Sequence, residues 1–457
     1  MTHTNTPNYK FKLIDFDVTT WHDDEYDNWR SVDALLGTFF ASPGYTGVWA
    51  NSTAYTIGQR AADTVDGKVY EVLVDHTSAA SPIPFATNRG TNPTFWQEWL
   101  ATHAADKNNP HSVPNTNVII NGSFDIWQRG VQFIGPTSGD YTADRWQVGM
   151  TGTGSIDVLQ FIGVPDTGSD FSVQLNVQTA DGAIAASDLY NFSYKVEGFD
   201  ALRFRLGEAD AQEITLSFQV RGSKTGIHCV AFLNSANNRN YIVEYTINVA
   251  DTWEKKTITL TGDVTGTWLT DNGTGLIMTW VLAAGTNFHG AAGVWQAGNL
   301  RATVNQVNVM DDNLNELNIS QVKLELGSVA TRYERRLYEE ELALCQRYFQ
   351  KTFLQGVTPA QNAGQLGALF YRASLATAVS FAAYYKYAVV MRASPAVTFY
   401  STSEASALWW NSSRVSASGA ANALVVGDAS LGVGNAQHAS DSTSESILIH
   451  FSLDAEL

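Results

Sequence analysis

The chain has 457 residues, more than one ordinary domain core holds, so its length predicts several domains. Only 16% of the residues are charged and 44% are hydrophobic, and the net charge of −17 repels phosphate backbones and argues against nucleic-acid binding. The two cysteines, Cys229 and Cys345, lie far apart and favour neither a disulfide framework nor a Cys-type zinc site.

The amino-terminal stretch MTHTNTPNYKFKLIDFD lacks the basic start and apolar centre of a secretory signal. No run in the chain approaches the roughly 18 apolar residues of a membrane span, so membrane insertion is not predicted. The surface is instead predicted to be rich in Ser, Thr, Asn, Gln and Gly. A protein that is made without export, but whose surface suits the extracellular environment, is typical of a particle released by lysis.

Residues 1–44 are predicted to contain one helix, because Trp29, Val32 and Leu36 recur at helical spacing and Gly37 suits the end of the helix. One amphipathic helix cannot make a core alone. We therefore expect it to pack on a neighbouring domain or on copies of itself.

Residues 45–100 predict a small β-module with short β-prone runs at 55–57 and 68–74. Its rings include Trp49, Tyr55, Tyr70 and Trp96. Aromatic side chains at this density serve either as core filler or as flat platforms that stack on sugar rings, and both interpretations stay open. The module ends at a polar, proline-containing linker, residues 101–116.

Residues 117–333 begin with NVIINGSFDIWQRG, which is interpreted as the first strand of a new domain, with Phe124 and Trp127 packing inward. The segments that follow alternate or run apolar between Gly, Asn and Asp turns. They include ALRFRLG, EITLSFQVRG, HCVAFLN, YIVEYTINV, KKTITLTG, LIMTWVLA and ISQVKLELG. About eight to ten such strands predict a mainly β fold, an antiparallel β-sandwich of the jelly-roll kind.

Residues 334–357 switch to helical periodicity. Tyr338, Leu342, Cys345 and Phe349 fall on one predicted face, with acids at the start and basic residues at the end. This pattern predicts a connecting helix in which Cys345 is a buried thiol rather than a reactive one.

Residues 358–457 are β-like but rich in Ala, Ser and Gly, with strand candidates QLGALFYRA, TFYST, ALWWN and ESILIHFSL. Small residues at this density favour close approach between chains around a symmetry axis. The region is therefore predicted to be a trimeric C-terminal tip domain.

Catalytic motifs are missing from the sequence: there is no nucleophile elbow, phosphate-binding loop, HExxH or dinucleotide fingerprint. A glycoside hydrolase would need two carboxylates about 5 to 10 Å apart, and sequence alone cannot pair them. No enzyme activity is predicted.

NVIINGSFDIWQRG and the later YTADRW (141–146) resemble the central domain of many tailed-phage fibre proteins, and SQVKLELGSVATRYERRLYEEELALCQRYFQ (320–350) resembles the join that follows it. MRASPAVTFY (391–400) and the final LDAEL are similar to the C-terminal tip of those proteins, which is trimeric and points toward the host. The first 40 residues resemble the virion-anchoring start of phage fibres. The resemblance implies a homotrimer whose N-terminus contacts other tail or baseplate proteins.

The module at 45–100 resembles small chitin-binding-type modules, with Trp49, Tyr55, Tyr70 and Trp96 at the matching aromatic positions. The jelly roll also resembles carbohydrate-binding modules of families 4 and 9. These commonly hold a structural calcium ion, for which Asp125 and Glu325 are the candidate ligands here, although the usual acidic pair of the last strand is replaced by Asn318-Ile-Ser320-Gln321.

In the tip, Tyr400, Trp409, Trp410, Asn411 and Arg414 are the candidate glycan contacts, because adjacent Trp residues in a strand place one ring on each face. The alternative is that one Trp seals the trimer core and the other covers a hydrophobic edge.

Together these features predict a phage virion fibre protein, located on the tail, that attaches the particle to host surface polysaccharide by multivalent binding. Two other hypotheses stay open: a head fibre or baseplate component without a receptor role, and a capsule depolymerase.

Overall fold

The computed structural model describes residues 117–163, 168–373, 379–413, 415–438 and 445–457, together with the backbone of six short strands between residues 45 and 98. Its contacts divide the chain into two units, Met1–Val113 and Pro114–Leu457. The predicted helix within residues 1–44 and the linker 101–116 lie outside the described residues.

The first unit has six described strands, and two of them lie where the sequence predicts strands. They are β1 (Tyr45–Val48), β2 (Ala54–Tyr55), β3 (Arg60–Ala62), β4 (Val69–Val72), β5 (His76–Thr77) and β6 (Trp96–Glu98). Four form a sheet in the order β1-β3-β4-β6, in which β1 and β3 are parallel, while β2 pairs with β5. The backbone of this segment is thus β, as predicted.

The second unit begins with a two-sheet antiparallel sandwich, which confirms the predicted fold class. Its strands are β7 (Gln132–Phe133), β8 (Trp146–Met150), β9 (Ser155–Phe161), β10 (Ser172–Thr179), β11 (Leu189–Glu197), β12 (Ile214–Gly222), β13 (Gly226–Leu233), β14 (Arg239–Ile247), β15 (Glu254–Leu260), β16 (Thr274–Ala284), β17 (Trp295–Ala297) and β18 (Glu316–Leu326). One sheet has the order β15-β12-β18-β10-β9-β7 and the other β17-β14-β13-β16-β11-β8.

The core of the sandwich is an aromatic cluster centred on Trp146, which has no exposed surface. Its ring stacks on Phe192 at 5.3 Å and contacts Phe124 at 4.8 Å and Trp280 at 5.5 Å. Phe124 and Trp127 are both buried, which confirms their predicted inward packing. Truncating a buried ring of this kind costs about 3 to 5 kcal/mol.

The opening stretch NVIING does not form a regular strand, which corrects the sequence-based interpretation. The Asn117 side chain takes the place of a strand backbone: its Oδ1 accepts from the amides of Ile119 and Leu324 at 3.0 Å each, and its Nδ2 donates to Val322 O at 3.0 Å. Residues 117–120 therefore lie along β18, where Val118 N also donates to Leu324 O at 3.1 Å and Arg336 donates to Ile119 O at 2.9 Å. Asn121 then turns the chain with a φ of 59°, a conformation that Asn tolerates.

The segment ALRFRLG was predicted as a strand and is helical at its start. Helix α1 (Gly198–Ala201) continues into a 3-10 turn, Leu202–Phe204, and only Ala201, Phe204 and Leu206 are buried. The alternating pattern arises because a tight turn also spaces buried positions by two or three residues. Two further 3-10 turns are Thr286–Phe288 and Val309–Asp311.

The connecting helix α2 (Tyr338–Gln346) is shorter than predicted. Cys345 is fully buried in the main core, which confirms its predicted burial, but Tyr338 is half exposed. Phe349 is not on the helix: it begins β19 and pairs with Asp454. Pairing with a distant strand overrides the helical periodicity here, and sequence-local spacing cannot show this.

The C-terminal region is built around one long strand, β27. The strands are β19 (Phe349–Lys351), β20 (Leu369–Ala373), β21 (Val379–Lys386), β22 (Ala396–Tyr400), β23 (Leu408–Asn411), β24 (Ser416–Ala420), β25 (Asn422–Val426), β26 (Ser430–His438) and β27 (Glu445–Asp454). β27 pairs with β19, β20, β22 and β23, while β21, β26 and β25 form a separate three-stranded sheet. All four strand candidates of this region are observed.

The end of β27 and the residues after it are fixed to the sandwich by buried charges. Arg145 pairs with Glu456, and both side chains are almost fully buried. Arg129 reaches Asp454 at 2.9 Å and Glu456 at 3.4 Å, and its guanidinium lies 3.8 Å from the Phe349 ring centroid. The predicted tip, residues 358–457, is therefore continuous with the sandwich in one compact unit.

Candidate functional site

The glycan contacts predicted in the C-terminal region are mostly core residues. Trp409 has no exposed surface and donates from Nε1 to Gly434 O at 2.8 Å, while Trp410 and Asn411 are 9% and 3% exposed. A ring without exposed area cannot stack on a sugar, so Trp409 is corrected to a core residue. Both rings of the pair are sealed within one chain, because β23 is covered on both faces. Tyr400 is partly buried with its ring edge against Phe353.

Two groups of predicted contacts are not placed by the structure. Arg414 and Trp49 lie outside the described residues. The backbones of Tyr55, Tyr70 and Trp96 lie in β2, β4 and β6, but their side chains are outside the described part of the structure. Their glycan contact stays a prediction.

The candidate calcium ligands Asp125 and Glu325 are each held by side chains of the same chain. Arg335 donates to both oxygens of Asp125, at 3.0 and 2.8 Å. Glu325 accepts from the amide and hydroxyl of Thr331, at 2.8 and 2.7 Å, and lies 3.2 Å from Lys323. Basic and hydroxyl groups thus already balance these carboxylates, which does not favour them as a shared ion site.

Part of the outer face of the second sheet is covered by the segment 285–308. It buries a small apolar cluster over β13, β14 and β16 that includes Cys229, Ala231 and Val281. The amide of Thr303 lies 3.4 Å from the Cys229 sulfur, and Gln306 donates to Val281 O at 3.1 Å. From β11 only Leu189 joins this cluster, and the outward side chains of β8 and of the rest of β11 line an open half of the face.

The open half forms a cleft of about 280 Å³ across β8, β11 and β16. Strand alternation decides which side chains line it: Tyr190, Phe192 and Tyr194 of β11 point into the core, and the residues between them point outward. The lining includes Gln147, Asn191, Ser193, Lys195 and Arg301.

The floor of the cleft is a connected polar network. Asn191 Nδ2 donates to Ser193 Oγ at 2.6 Å and to Thr279 Oγ1 at 2.7 Å, and the two hydroxyls lie 2.9 Å apart. Gly149 makes room for this amide, because a Cβ there would lie 2.3 Å from Asn191 Oδ1. Asn191 and Ser193 are each only 6% exposed, so this network acts mainly as a rigid base that fixes the more exposed polar side chains around it.

The ionisable side chains that line the cleft are both basic, Lys195 and Arg301. Arg301 belongs to the covering segment and donates to two neutral amide oxygens, Asn237 Oδ1 at 2.8 Å and Asn299 Oδ1 at 3.2 Å. Burial lowers the pKa of Arg301 to about 10. Lys195 donates to Leu457 O at 2.6 Å, and burial, followed by the charge of Arg145, lowers its pKa. Neither cation is paired directly with an Asp or Glu side chain of a described residue, although the charge of Glu456 acts to raise the pKa of Lys195.

Sequence reasoning missed this cleft, although part of the signal is present. In LYNFSYKVE, the residues of β11, apolar and polar side chains alternate with a period of two, so one face had to be polar and outward. Arg301 carries no such signal, because it comes from a loop that folds back over the sheet.

Among the described residues, no group of three or more His, Cys, Asp or Glu side chains is arranged to hold a metal ion. No helix among these residues has the length and apolar character needed to cross a membrane.

Comparison with known proteins gives structural likeness at low similarity. A putative sugar binding protein from Bacteroides thetaiotaomicron shares 11% identity over 46% of this chain and 100% of its own, with a TM-score of 0.29. The family 11 carbohydrate-binding module of a cellulosomal cellulase of Clostridium thermocellum shares 10% over 43% and 100%, with a TM-score of 0.24.

The enzymatically active domain of tailspike protein 4 of bacteriophage CBA120 shares 13% identity over 46% of this chain, with a TM-score of 0.27. The match spans only 22% of the tailspike chain. No family model matches the sequence, and no curated protein matches it.

Proposed function

We propose that this protein is a glycan-binding component of a phage virion that attaches the particle to its host's surface. The observation that carries the binding proposal is the cleft, a preorganised polar surface on the open half of a rigid sheet. Binding clefts of this kind combine a few convergent hydrogen-bonding groups with a fixed frame. The assignment to a virion fibre is supported by the sequence resemblance described above.

Binding without reaction fits the chemistry of this cleft. Its described lining offers amide, hydroxyl and basic groups, whereas glycoside hydrolysis generally uses a pair of carboxylates. We therefore propose an adhesin rather than a depolymerase.

Homotrimerisation is part of the proposal and has support in the C-terminal region. Strand β25 exposes apolar side chains that a lone chain leaves in water, with Leu424 and Val425 at 52% and 59% exposure. Packing such strands around an axis would cover them. Three weak clefts on one rigid trimer would bind a repetitive polysaccharide at high effective concentration.

The binding proposal is tested with the full chain and a panel of bacterial surface polysaccharides. Gln147 lies on the cleft floor in edge strand β8, so Gln147→Trp fills the cleft, and we expect at least about a tenfold loss of affinity. Thr257→Trp places the same ring on an exposed position of β15, on the other sheet, and is the matched control. Equal binding by both variants would refute the cleft as the site.

The virion assignment needs a separate test, because glycan binding alone does not locate the protein. Antibody raised against the C-terminal region is expected to label the tail of intact particles and to block adsorption. Labelling of the head instead would favour the head-fibre hypothesis.

A further inference from the structure

The two cations of the cleft differ from most of the partly buried basic groups described in the chain, although Lys351 and Arg392 also bond only to carbonyl oxygens. Most described Arg and Lys side chains with buried surface are balanced by a carboxylate; for example, Arg239 pairs with Asp263 at 2.6 Å and Arg347 with Glu197 at 2.6 Å. Lys195 and Arg301 form no such pair. They are nevertheless close enough for the charge of Arg301 to contribute to the lowered pKa of Lys195.

Only Glu456, which is already paired with Arg129 and Arg145, contributes a nearby opposite charge to Lys195. Holding Lys195 and Arg301 partly buried side by side is therefore unfavourable, because desolvation and mutual repulsion both oppose it. The chain has ample acid to prevent it, since its net charge is −17. The cleft is therefore a local positive site on a strongly acidic protein. Such a site is complementary to an anion that arrives with a ligand.

We propose that the cleft selects a negatively charged glycan, whose carboxylate or phosphate group binds between Lys195 and Arg301 while its hydroxyls bind the polar lining above the Asn191–Ser193 floor. The inference rests on the proposed glycan-binding function and adds the ligand class. The planar guanidinium suits either anion, since both present two oxygens to its donors. The cleft has no aromatic ring in its lining, so hydrogen bonds and charge supply the recognition.

The direct test compares two ligands that differ only in charge. Full-chain protein is titrated with polygalacturonate and with its methyl ester, beside a poly(ribitol phosphate) polymer and neutral dextran. We expect the anionic polymers to bind at least about tenfold more tightly than the ester and dextran. The carboxylate and phosphate arms then identify which anion is preferred.

Variants of Arg301 tie any preference to the cleft. Arg301→Gln is expected to lower affinity for the anionic polymer about tenfold. Arg301→Lys keeps the charge but loses the paired N–H donors of the guanidinium, and is expected to lower affinity about threefold. Lys255→Gln removes one exposed positive charge from the other sheet and is the control. Arg301→Gln removes an unbalanced charge, so the thermal midpoint of this variant is expected to equal or exceed that of the wild type. This measurement separates a loss of binding from misfolding.

Each outcome decides a different claim. Equal binding of ester and acid, or unchanged binding by Arg301→Gln, overturns the anionic preference and leaves the glycan-binding function standing. Binding to no polymer of the panel overturns both. Salt dependence is not used as the readout, because salt also screens the long-range repulsion between an anionic polymer and the acidic chain.

Discussion

At the scale of single residues, the contribution of an ion pair to stability depends on how deeply its two side chains are buried. Arg145 and Glu456 lie in the junction between the sandwich and the end of β27, with side-chain exposures of 0% and 3%. The Arg145 guanidinium also lies over the Tyr348 ring at 3.4 Å and donates to Lys195 O at 2.6 Å. A charge in this position has no water to replace a lost partner.

Removing one member of this pair is therefore expected to be costly. Glu456→Gln should lower the free energy of unfolding by about 3 to 5 kcal/mol, because it leaves Arg145 buried and unbalanced. Glu208→Gln breaks the Arg205–Glu208 pair, in which both side chains are about half exposed, and should lower the free energy of unfolding far less. Chemical denaturation of the two variants measures the contrast, and similar losses would argue against a structural role for the buried pair.

His228 predicts a pH dependence at the same scale. Burial lowers its pKa to about 4, and Nε2 lies 3.0 Å from Lys224 O. Between about pH 6.5 and 4 the unfolded chain takes up a proton that the folded chain does not, so this contribution to stability falls as the pH falls. At pH 5 the loss is about 2 kcal/mol relative to pH 7.

The measurement is the difference between wild type and His228→Gln, which keeps a donor for Lys224 O but does not titrate. Comparison is necessary because burial raises the pKa of Asp144 to about 6, which acts in the opposite direction. Parallel pH profiles for the two proteins would contradict the assignment.

At the scale of elements, the covering segment and helix α2 bury the two cysteines in different ways. Cys229 lies under the segment 285–308, outside the main core, whereas Cys345 belongs to α2 itself and packs into the main core. A loop that covers a sheet can open locally, but a core helix position opens only with the whole unit.

Thiol labelling should resolve this difference. In native protein we expect slow labelling of Cys229 that depends weakly on denaturant, and labelling of Cys345 only with global unfolding. Cys229→Ala and Cys345→Ala assign the two phases. Labelling of Cys345 first would mean that α2 is less firmly packed than its burial indicates.

Some strands and helices of this protein can be predicted from local sequence patterns, and others cannot. The strands of the sandwich were predictable because apolar residues alternate at a period of two, as in β12, or run continuously between turn residues, as in β16. The strand rule failed at ALRFRLG, where a helical turn gives buried residues a similar spacing. The helical rule failed at Phe349, which pairs with β27 instead of continuing the helix. Both errors occur where long-range contacts override local preference.

At the scale of the whole molecule, the C-terminal region depends on the sandwich. Arg392 donates to Ala455 O and to Asn272 O, at 2.8 and 2.6 Å, so it ties the end of β27 to a sandwich loop. Tyr348 and Arg145 close the same junction. Cutting the chain before residue 334 would expose these buried charges to water.

A fragment of residues 334–457 is therefore expected not to unfold cooperatively, whereas residues 114–457 should do so in a single transition. Circular dichroism and thermal unfolding of the two fragments measure this. A stable, cooperative 334–457 fragment would show that the predicted tip is an independent domain after all.

Assembly is tested at the same scale. Light scattering of the full chain is expected to give three times the mass of one 457-residue chain, because trimer packing covers the apolar edge at β25. Replacing both Leu424 and Val425 by Ser should weaken the assembly without lowering the stability of the sandwich. A monomeric wild-type protein would remove the basis for multivalent binding.

The sequence by itself determined the class of fold and the main core. Its period-two patterns, turn residues and inward rings at Phe124 and Trp127 are local properties, and burial of apolar surface makes them decisive. Only the tertiary structure decided where a ligand can bind. Trp409 looked available because exposure cannot be read from residue type, and the cleft stayed hidden because its Arg301 comes from a loop more than a hundred residues after Asn191. Local spacing fixes which residues share a strand face, but contacts between distant segments decide which face remains open to solvent.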